Sequence, residues 1–379
     1  MQKRILHILA DDKFSDYAIE QFENLNVPSD FVLIVTSGAE KLVKHRDKST
    51  IMRRGDEAYS KMLDSLPSYE AIILHGMFWA YDYDILTRIP STTKVAWVNW
   101  GGEIYGRKDV YYDFLSLRSR IMESLHSWKS LFKRNYFNPQ YELPVNVFRR
   151  VNYCMTDEKE EFEYAQRYLQ LPKMEHLFYN YYTLEHMVGA LIDKRCNGQN
   201  IFMGNCGANE CNYWDAMPIA AKLKETGQKV IIPIPNGYGS PWVSNRVLRL
   251  GKWLYGADFM PLTDFLPREQ YNDLICNCST MIMPHYAPRA QGNIITALWL
   301  GMRVYLSERN MTYHHFKRLG CTVYSIEKDL KRSNKNRFAP MTDEELEHNR
   351  KIIYATYSKE TTMKAVQNIV DTLVKSDAE

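Results

Sequence analysis

Short apolar runs alternate along this chain with stretches whose apolar residues recur at helical spacing. Arg4–Ala10, Phe31–Thr36, Ala71–Gly76 and Lys94–Trp100 are near-continuous runs of Ile, Leu, Val and Ala, which read as strands buried on both faces. From Asp16 onward, Ile19, Phe22 and Leu25 share one face of a helix. The basic stretch Lys41–Arg54 reads as solvated surface. Val151–Thr156 predicts another strand, and Asp157 caps an acidic helix that ends near Leu171-Pro172. The polar tract Leu191–Asn200, with Gly198, reads as a linker.

The alternation then resumes. Strands are predicted at Ile201–Gly204, Lys229–Ile234, Ala257–Leu262, Thr280–Met283, Arg303–Leu306 and Thr322–Ile326. Helices are predicted at Tyr213–Glu225, Trp242–Tyr255, Arg268–Cys276, from Gly292 through Leu300, and near Thr312–Leu319. Thr342-Asp-Glu-Glu345 has the pattern of a capping box and opens a long C-terminal helical tail. Two strand–helix arrays imply an α/β protein with parallel sheets, two Rossmann-like domains facing across a cleft. The expected division is 1–190, 200–340, and a tail at 341–379 packing back toward the first domain.

Composition narrows this picture only a little. At 379 residues the chain has length for two cores, and a net charge of +3 does not imply nucleic acid. The seven cysteines form no framework, and Cys276 and Cys278 are too close for a zinc pair, so a reduced, cytoplasmic compartment fits. The apolar part of the N-terminus is too short for a signal peptide, and no stretch reaches membrane-spanning length. Between 118 and 150 the texture is basic and aromatic: Arg118, Arg120, Lys129, Lys133 and Arg134 interleave with Trp128, Leu131, Phe132 and Tyr136. Such a segment suits peripheral contact with anionic lipid on the inner membrane, and equally a core-facing helix with a solvated basic side.

Candidate chemistry gathers in the loops after the second series of strands. Gly204-Asn205, Asn212, Gly237-Tyr238-Gly239 and Arg289–Asn293 all fall at one edge of the predicted sheet. A strand, then Arg289, Gln291 and Gly292, then Asn293 in a helix N-terminus can cradle an anion: N–H groups and the positive dipole end face it, and a guanidinium neutralises phosphate. An ordinary strand-to-helix turn has the same pattern. No G-x-G-x-x-G follows the first strand and no P-loop lysine motif exists, which argues against nicotinamide and nucleoside triphosphate enzymes. Asp82-Tyr83-Asp84 spells a D-x-D, a spacing that also arises by chance at a helix start. Glu103, in the glycine loop after a buried strand, is a candidate general base, with surface or capping glutamate as the alternative. His7 and His75 are expected at the ends of adjacent strands, where they would be rival bases or structural residues.

These residues carry a resemblance. Ile5-Leu-His-Ile8, Asp12-Lys-Phe14, Leu74-His-Gly76, Trp100-Gly-Gly-Glu-Ile-Tyr105, Gly204-Asn205, Asn212, Tyr238-Gly239 and Gln291-Gly-Asn-Ile294 with Leu300-Gly301 resemble one transferase family. Its members pass 4-acetamido-4,6-dideoxygalactose from a TDP carrier to lipid II in enterobacterial common antigen synthesis. The chain departs from that family at Cys206 (Ser in the family), at Cys211 and Tyr213 (Asn and His), at Ala290 (Gln) and at Glu103 (Asp). The departures bear on the particular sugar.

The resemblance implies GT-B architecture and a glycosyltransferase that needs neither a metal at the diphosphate nor another cofactor. The second domain would bind a TDP- or UDP-sugar through Gly204, Asn205, Asn212, Tyr238, Gly239, Arg289, Gln291, Gly292 and Asn293. The first would bind a polyprenyl diphosphate-linked saccharide, with Glu103, His7 or His75 as base. The competing readings are a non-hydrolysing sugar-nucleotide 2-epimerase on the same fold and a two-domain ligand-binding protein.

Overall fold

Uninterrupted Ile-Leu-Val runs cannot sit on a half-solvated sheet, and here they do not. The computed structural model describes residues 3–35, 43–131, 143–237, 239–264, 266–330 and 337–375. The chain forms two compact units, one comprising Met1–Arg107, Pro139–Thr183 and Lys359–Glu379, the other Lys108–Asn138 and Leu184–Ser358.

The first unit holds a seven-stranded sheet of β1 (Ile5–Ala10), β2 (Ser29–Ile34), β3 (Thr50–Met52), β4 (Ala71–His75), β5 (Lys94–Val98), β6 (Tyr153–Met155) and β7 (Glu175–Leu177). Its order is β3-β2-β1-β4-β5-β6-β7, and every pairing is parallel. All six residues of β1 are buried, as expected of a parallel strand covered on both faces. One face is covered by Ala18, Ile19 and Phe22 of the helix Phe14–Phe22 and by Val366, Ile369, Val370 and Leu373 of the helix Lys359–Val374.

The second unit holds β8 (Asn200–Met203), β9 (Val230–Pro233), β10 (Phe259–Leu262), β11 (Cys278–Met283), β12 (Arg303–Leu306) and β13 (Tyr324–Ser325). They form a parallel sheet in the order β10-β9-β8-β11-β12-β13. Relabelled from its first strand this is 3-2-1-4-5-6, the doubly wound pattern whose winding reverses between β8 and β11.

Three features depart from the linear expectation. The helix Leu117–Leu131 packs on the helix Tyr213–Leu223 and on the turn Asn209–Cys211, so this part of the expected first domain groups with the second sheet. The C-terminal tail is two helices, because Ser358 has an extended ψ of 153° and stops the helix Asp343–Tyr357. Its Thr342–Glu345 capping box is present. Two short strands also escape the hydrophobic pattern. β3 lies inside the basic stretch with only Met52 buried, and β7 buries only Leu177, as edge strands commonly do.

Phe202 in β8 is fully buried under the second sheet. Phe202→Ala is expected to lower the stability of that unit by about 3–5 kcal/mol, the usual cost of an aromatic cavity. Urea unfolding checks this, and a loss below about 1 kcal/mol would show that the core collapses around the gap.

Candidate functional site

In a doubly wound sheet the loops diverge where the strand order reverses, leaving a crevice at the carboxyl ends of the two central strands. Here those strands are β8 and β11. Gly204 leaves β8 with φ +67°, and a Cβ there would stand 2.2 Å from the Tyr213 hydroxyl, so only glycine fits. That hydroxyl donates to the Cys206 carbonyl at 3.0 Å and sets the turn. The Asn205 Oδ1 accepts from His285 Nε2 at 3.0 Å, which ties the loop after β8 to the loop after β11. The Cys211 thiol also donates to it at 3.4 Å and lies 3.7 Å from the Cys206 sulfur.

Asn212 is 1 % exposed and sits in the left-handed region at φ 48°. Its Oδ1 accepts from the Ser116 N–H at 2.8 Å, and its Nδ2 donates to the carbonyls of Pro284 at 3.1 Å and Phe114 at 3.3 Å. This carboxamide holds the site's loops together and is turned inward. Gly239 joins from the loop after β9. It bridges to Gly207, whose carbonyl accepts the Ser240 N–H at 2.8 Å and would lie 2.4 Å from a Cβ on Gly239. Tyr238 lies outside the described residues.

Gln291, Gly292 and Asn293 form the first turn of the helix Gln291–Trp299, preceded by Ala290 in the left-handed region at φ 56°. A Cβ on Gly292 would meet only Met187 at 3.8 Å, an ordinary contact, so this glycine leaves room beside the helix start and is not required by the backbone. Arg289 donates to Glu210 Oε1 at 2.8 Å with its side chain 35 % exposed, and the Tyr111 hydroxyl reaches Glu210 Oε2 at 3.3 Å. The second unit thus brings together Gly204, Asn205, Asn212, Gly239 and Arg289 with the start of a helix. His285 and Glu210 also take part. The sequence signal for His285 was its position just past β11, on the Pro284 side of the expected anion loop.

The first unit gathers a different set. Glu103 is 5 % exposed, and its Oε1 accepts from the N–H groups of Met77 at 3.2 Å and Trp100 at 3.1 Å and from Trp97 Nε1 at 3.1 Å. Burial pushes its carboxyl up to about 7 against the pull of these donors. Its Oε2 has no hydrogen-bond partner among the described residues. The D-x-D carboxylates serve separate partners. Asp82 is buried and accepts from the N–H groups of Phe78 at 3.0 Å and Trp79 at 2.9 Å, while Asp84 pairs with Arg54 at 2.6 Å and Tyr59 at 2.9 Å. Among the described residues no group of three or more His, Cys, Asp or Glu could hold a metal ion.

His7 does not end its strand. It lies inside β1, packed against Phe22 at 4.6 Å and Phe31 at 4.8 Å between ring centroids. The expected strand, Arg4–Ala10, already placed His7 in its middle, and the packing of Phe22 and Phe31 keeps its ring in the core. His75 does end β4, beside β1 as expected. The His7 Nδ1 and His75 Nε2 are 3.1 Å apart. His75 Nδ1 meets the Tyr181 hydroxyl at 2.8 Å, and that oxygen accepts from Trp100 Nε1 at 3.0 Å. Burial pushes His75 down to about 3 and, with the neighbouring ring, His7 well below its ordinary value. Both imidazoles are neutral inside the core.

No protein-family model matches the chain, and no curated protein matches it in sequence. Solved structures do match along its length. The lipopolysaccharide outer core galactosyltransferase WaaB, in its apo form, has a TM-score of 0.63 at 7% identity, over 97% of this chain and 99% of that one. Sucrose-phosphate synthase from Thermosynechococcus elongatus has 0.61 at 10% identity, over 98% and 99%. Anabaena HepE, in complex with UDP and glucose, has 0.52 at 9% identity, over 98% and 96%. Identity this low speaks for the fold alone: two parallel-sheet Rossmann-like units of the GT-B kind.

The neutral histidines give a direct prediction. An unfolded histidine protonates near pH ~6.5, so below that pH the unfolded chain takes up protons that His7 and His75 refuse, and both oppose folding increasingly as pH falls. For His75 this continues down to about 3. Glu103 works in the opposite sense. Its folded-state value of about 7 means that the native protein keeps a proton which the unfolded chain releases above pH ~4.3. Global acid stability is therefore a sum, and NMR isolates the terms. Two histidine rings, lost in His7→Phe and His75→Phe, should show no titration shift between pH about 8 and about 5. A midpoint near 6.5 for either ring would contradict the buried network.

Proposed function

We propose that the protein is a glycosyltransferase that moves a hexose from a nucleoside diphosphate sugar, carrying TDP or UDP, to a saccharide on a polyprenyl diphosphate carrier. The observation that carries this reading is the set of groups at the β8/β11 switch point. Glycines without room for a side chain, Asn205, Arg289 and a helix start lie in the loops that follow the sheet's central strands, and ligands of such sheets bind at the carboxyl ends of those strands. Support also comes from HepE, a protein of this fold that holds UDP and glucose. The lipid-linked acceptor and an amino- or deoxy-sugar donor rest on the motif resemblance to the common-antigen transferases.

Transfer breaks the bond between the anomeric carbon and the diphosphate oxygen, and negative charge grows on the departing diphosphate. Without a metal, that charge falls to Arg289 and to the N–H groups and dipole at Gln291–Asn293. A guanidinium carries five N–H donors, so the Glu210 contact orients Arg289 without exhausting it. Gly204 and Gly239 keep side chains out of the loops that would approach the nucleotide. Of the candidate bases in the first unit, Glu103 fits best. Its carboxyl is pushed up to about 7, near working pH, and its Oε2 is the oxygen that would take the acceptor hydroxyl proton. His7 and His75, neutral and packed in the core, fit a structural part better.

A thermal-shift series with TDP and UDP, with and without EDTA, tests the donor site in wild type and Arg289→Ala. At least one nucleotide should stabilise the wild type, equally with EDTA. The variant should bind about tenfold or more weakly, the scale of a lost charge-assisted hydrogen bond. Stabilisation by neither nucleotide, or only with added metal, would refute the anion-site assignment.

A further inference from the structure

The thiols of Cys206 and Cys211 meet inside the loop that leaves β8. Their sulfurs are 3.7 Å apart, and both residues are buried, Cys206 at 7 % exposure and Cys211 at 0 %. Cys211 closes the turn Asn209–Cys211, and its thiol donates back to the Cys206 carbonyl at 3.3 Å and to Asn205 Oδ1 at 3.4 Å. Among the described residues no group of three or more His, Cys, Asp or Glu could hold a metal ion, so the pair is not half of a metal centre. No step of glycosyl transfer calls on either thiol. Two sulfurs in contact have a chemistry of their own, which is to join.

The surroundings favour that step. A thiol reacts as its thiolate, and nearby positive charge stabilises the thiolate. Burial opposes ionisation of Cys211, but the Cys206 thiol, His285 and the Arg289 guanidinium outweigh it and hold Cys211 well below its ordinary value. At Cys206 the contact with Cys211, and then burial, push the thiol up. Cys211 is therefore the sulfur that attacks an oxidant, and Cys206 the one that resolves the product. To reach an S–S bond of about 2.05 Å the sulfurs close by about 1.7 Å, a distance that side-chain rotation spans. A pair this deeply buried meets a small peroxide rather than the thiol of another protein.

The loop also links the pair to the anion site. Glu210 precedes Cys211 in the same turn and accepts from Arg289 at 2.8 Å. Asn205 Oδ1, which accepts from Cys211, is the atom that receives His285 Nε2 at 3.0 Å from the loop after β11. A change at Cys211 reaches both loops of the switch point through these contacts.

We propose that Cys206 and Cys211 are a peroxide-sensitive pair whose disulfide weakens anion binding at the neighbouring Arg289. In the first step the Cys211 thiolate attacks one oxygen of hydrogen peroxide and the O–O bond breaks. The sulfur becomes a sulfenic acid, and the departing hydroxide takes the proton that Cys211 gave up and leaves as water. In the second step the Cys206 sulfur displaces the sulfenic hydroxyl, which leaves as water with the Cys206 proton, and the S–S bond forms. Two thiols are oxidised and one peroxide is reduced to two waters. The disulfide has no S–H, so Asn205 loses its Cys211 donor, and Glu210 moves with the turn and takes Arg289 with it. Formation of the bond is independent of the transferase reading, whereas its effect on a nucleotide rests on that reading.

The test treats the intact protein with hydrogen peroxide, unfolds it, blocks the remaining thiols with iodoacetamide and weighs the peptides. In wild type the peptide spanning Cys206 and Cys211 should be unblocked at both and two hydrogens lighter, and dithiothreitol before blocking should restore both thiols. Cys206→Ser and Cys211→Ser, each confirmed as folded by a cooperative melt, should not give that product. Thermal shift with TDP and UDP should show affinity about tenfold weaker in oxidised than in reduced wild type, with no effect of peroxide in either variant. Full blocking of both positions after peroxide would overturn the pair. A disulfide with undiminished nucleotide binding would overturn its effect on Arg289. If neither nucleotide stabilises even the reduced protein, the donor reading fails, and the peptide masses still decide whether the pair forms.

Discussion

Three segments distant in sequence meet on the side chain of Asn212. Its carboxamide receives the Ser116 N–H and donates to the carbonyls of Phe114 and Pro284. The first two partners lead into the helix Leu117–Leu131, and the third leaves β11 toward Arg289. Its own backbone, left-handed at φ 48°, starts the helix Tyr213–Leu223 on which the first of these helices packs. A buried amide left without these partners would incur a desolvation cost of about 1–3 kcal/mol, so the three segments are locked by one requirement for polar satisfaction. The course of the loop after β11 and the outward turn of Leu117, Ile121 and Leu125 both descend from that lock.

The first unit is organised by the same rule applied to ionisable groups. Glu103 gathers three N–H donors from the ends of β4 and β5, and His7, His75, Tyr181 and Trp100 share a continuous chain of contacts. Burial holds the carboxyl partly protonated near neutrality and both imidazoles uncharged. A neutral network of this kind costs less to bury than separated charges, and among the described residues it leaves the Glu103 Oε2 without a hydrogen-bond partner.

The fold persists at 7 to 10% identity with WaaB and sucrose-phosphate synthase because a doubly wound parallel sheet asks little of a sequence. It needs apolar runs of strand length, helices to cover both faces, and glycines where loops crowd at the switch point. Many sequences satisfy those demands. Activity depends on the side chains placed in the loops, and on these the structural likeness is silent.

The sequence by itself determined the strands of both sheets except the edge strands β3 and β7, the parallel α/β class, the capping box at Thr342 and the cluster of loops around Gly204, Gly239 and Arg289. Each follows from local pattern: buried parallel strands must be apolar throughout, and a left-handed turn must be glycine where a Cβ has no room. Tertiary structure alone decided the rest. The helix Leu117–Leu131 joined the second unit because Glu123 and Asn209, far apart in the chain, satisfy each other. Leu117, Ile121 and Leu125 ended outside because those polar partners lay inside. Asp82 and Asp84, adjacent in a motif, parted to separate partners, since residues two apart on a helix face different ways. His7 became a core residue because Phe22 and Phe31, on other elements, pack against its ring. Apart from the local N–H partners of Asp82, the deciding partner lies on another element, and no window of sequence contains it.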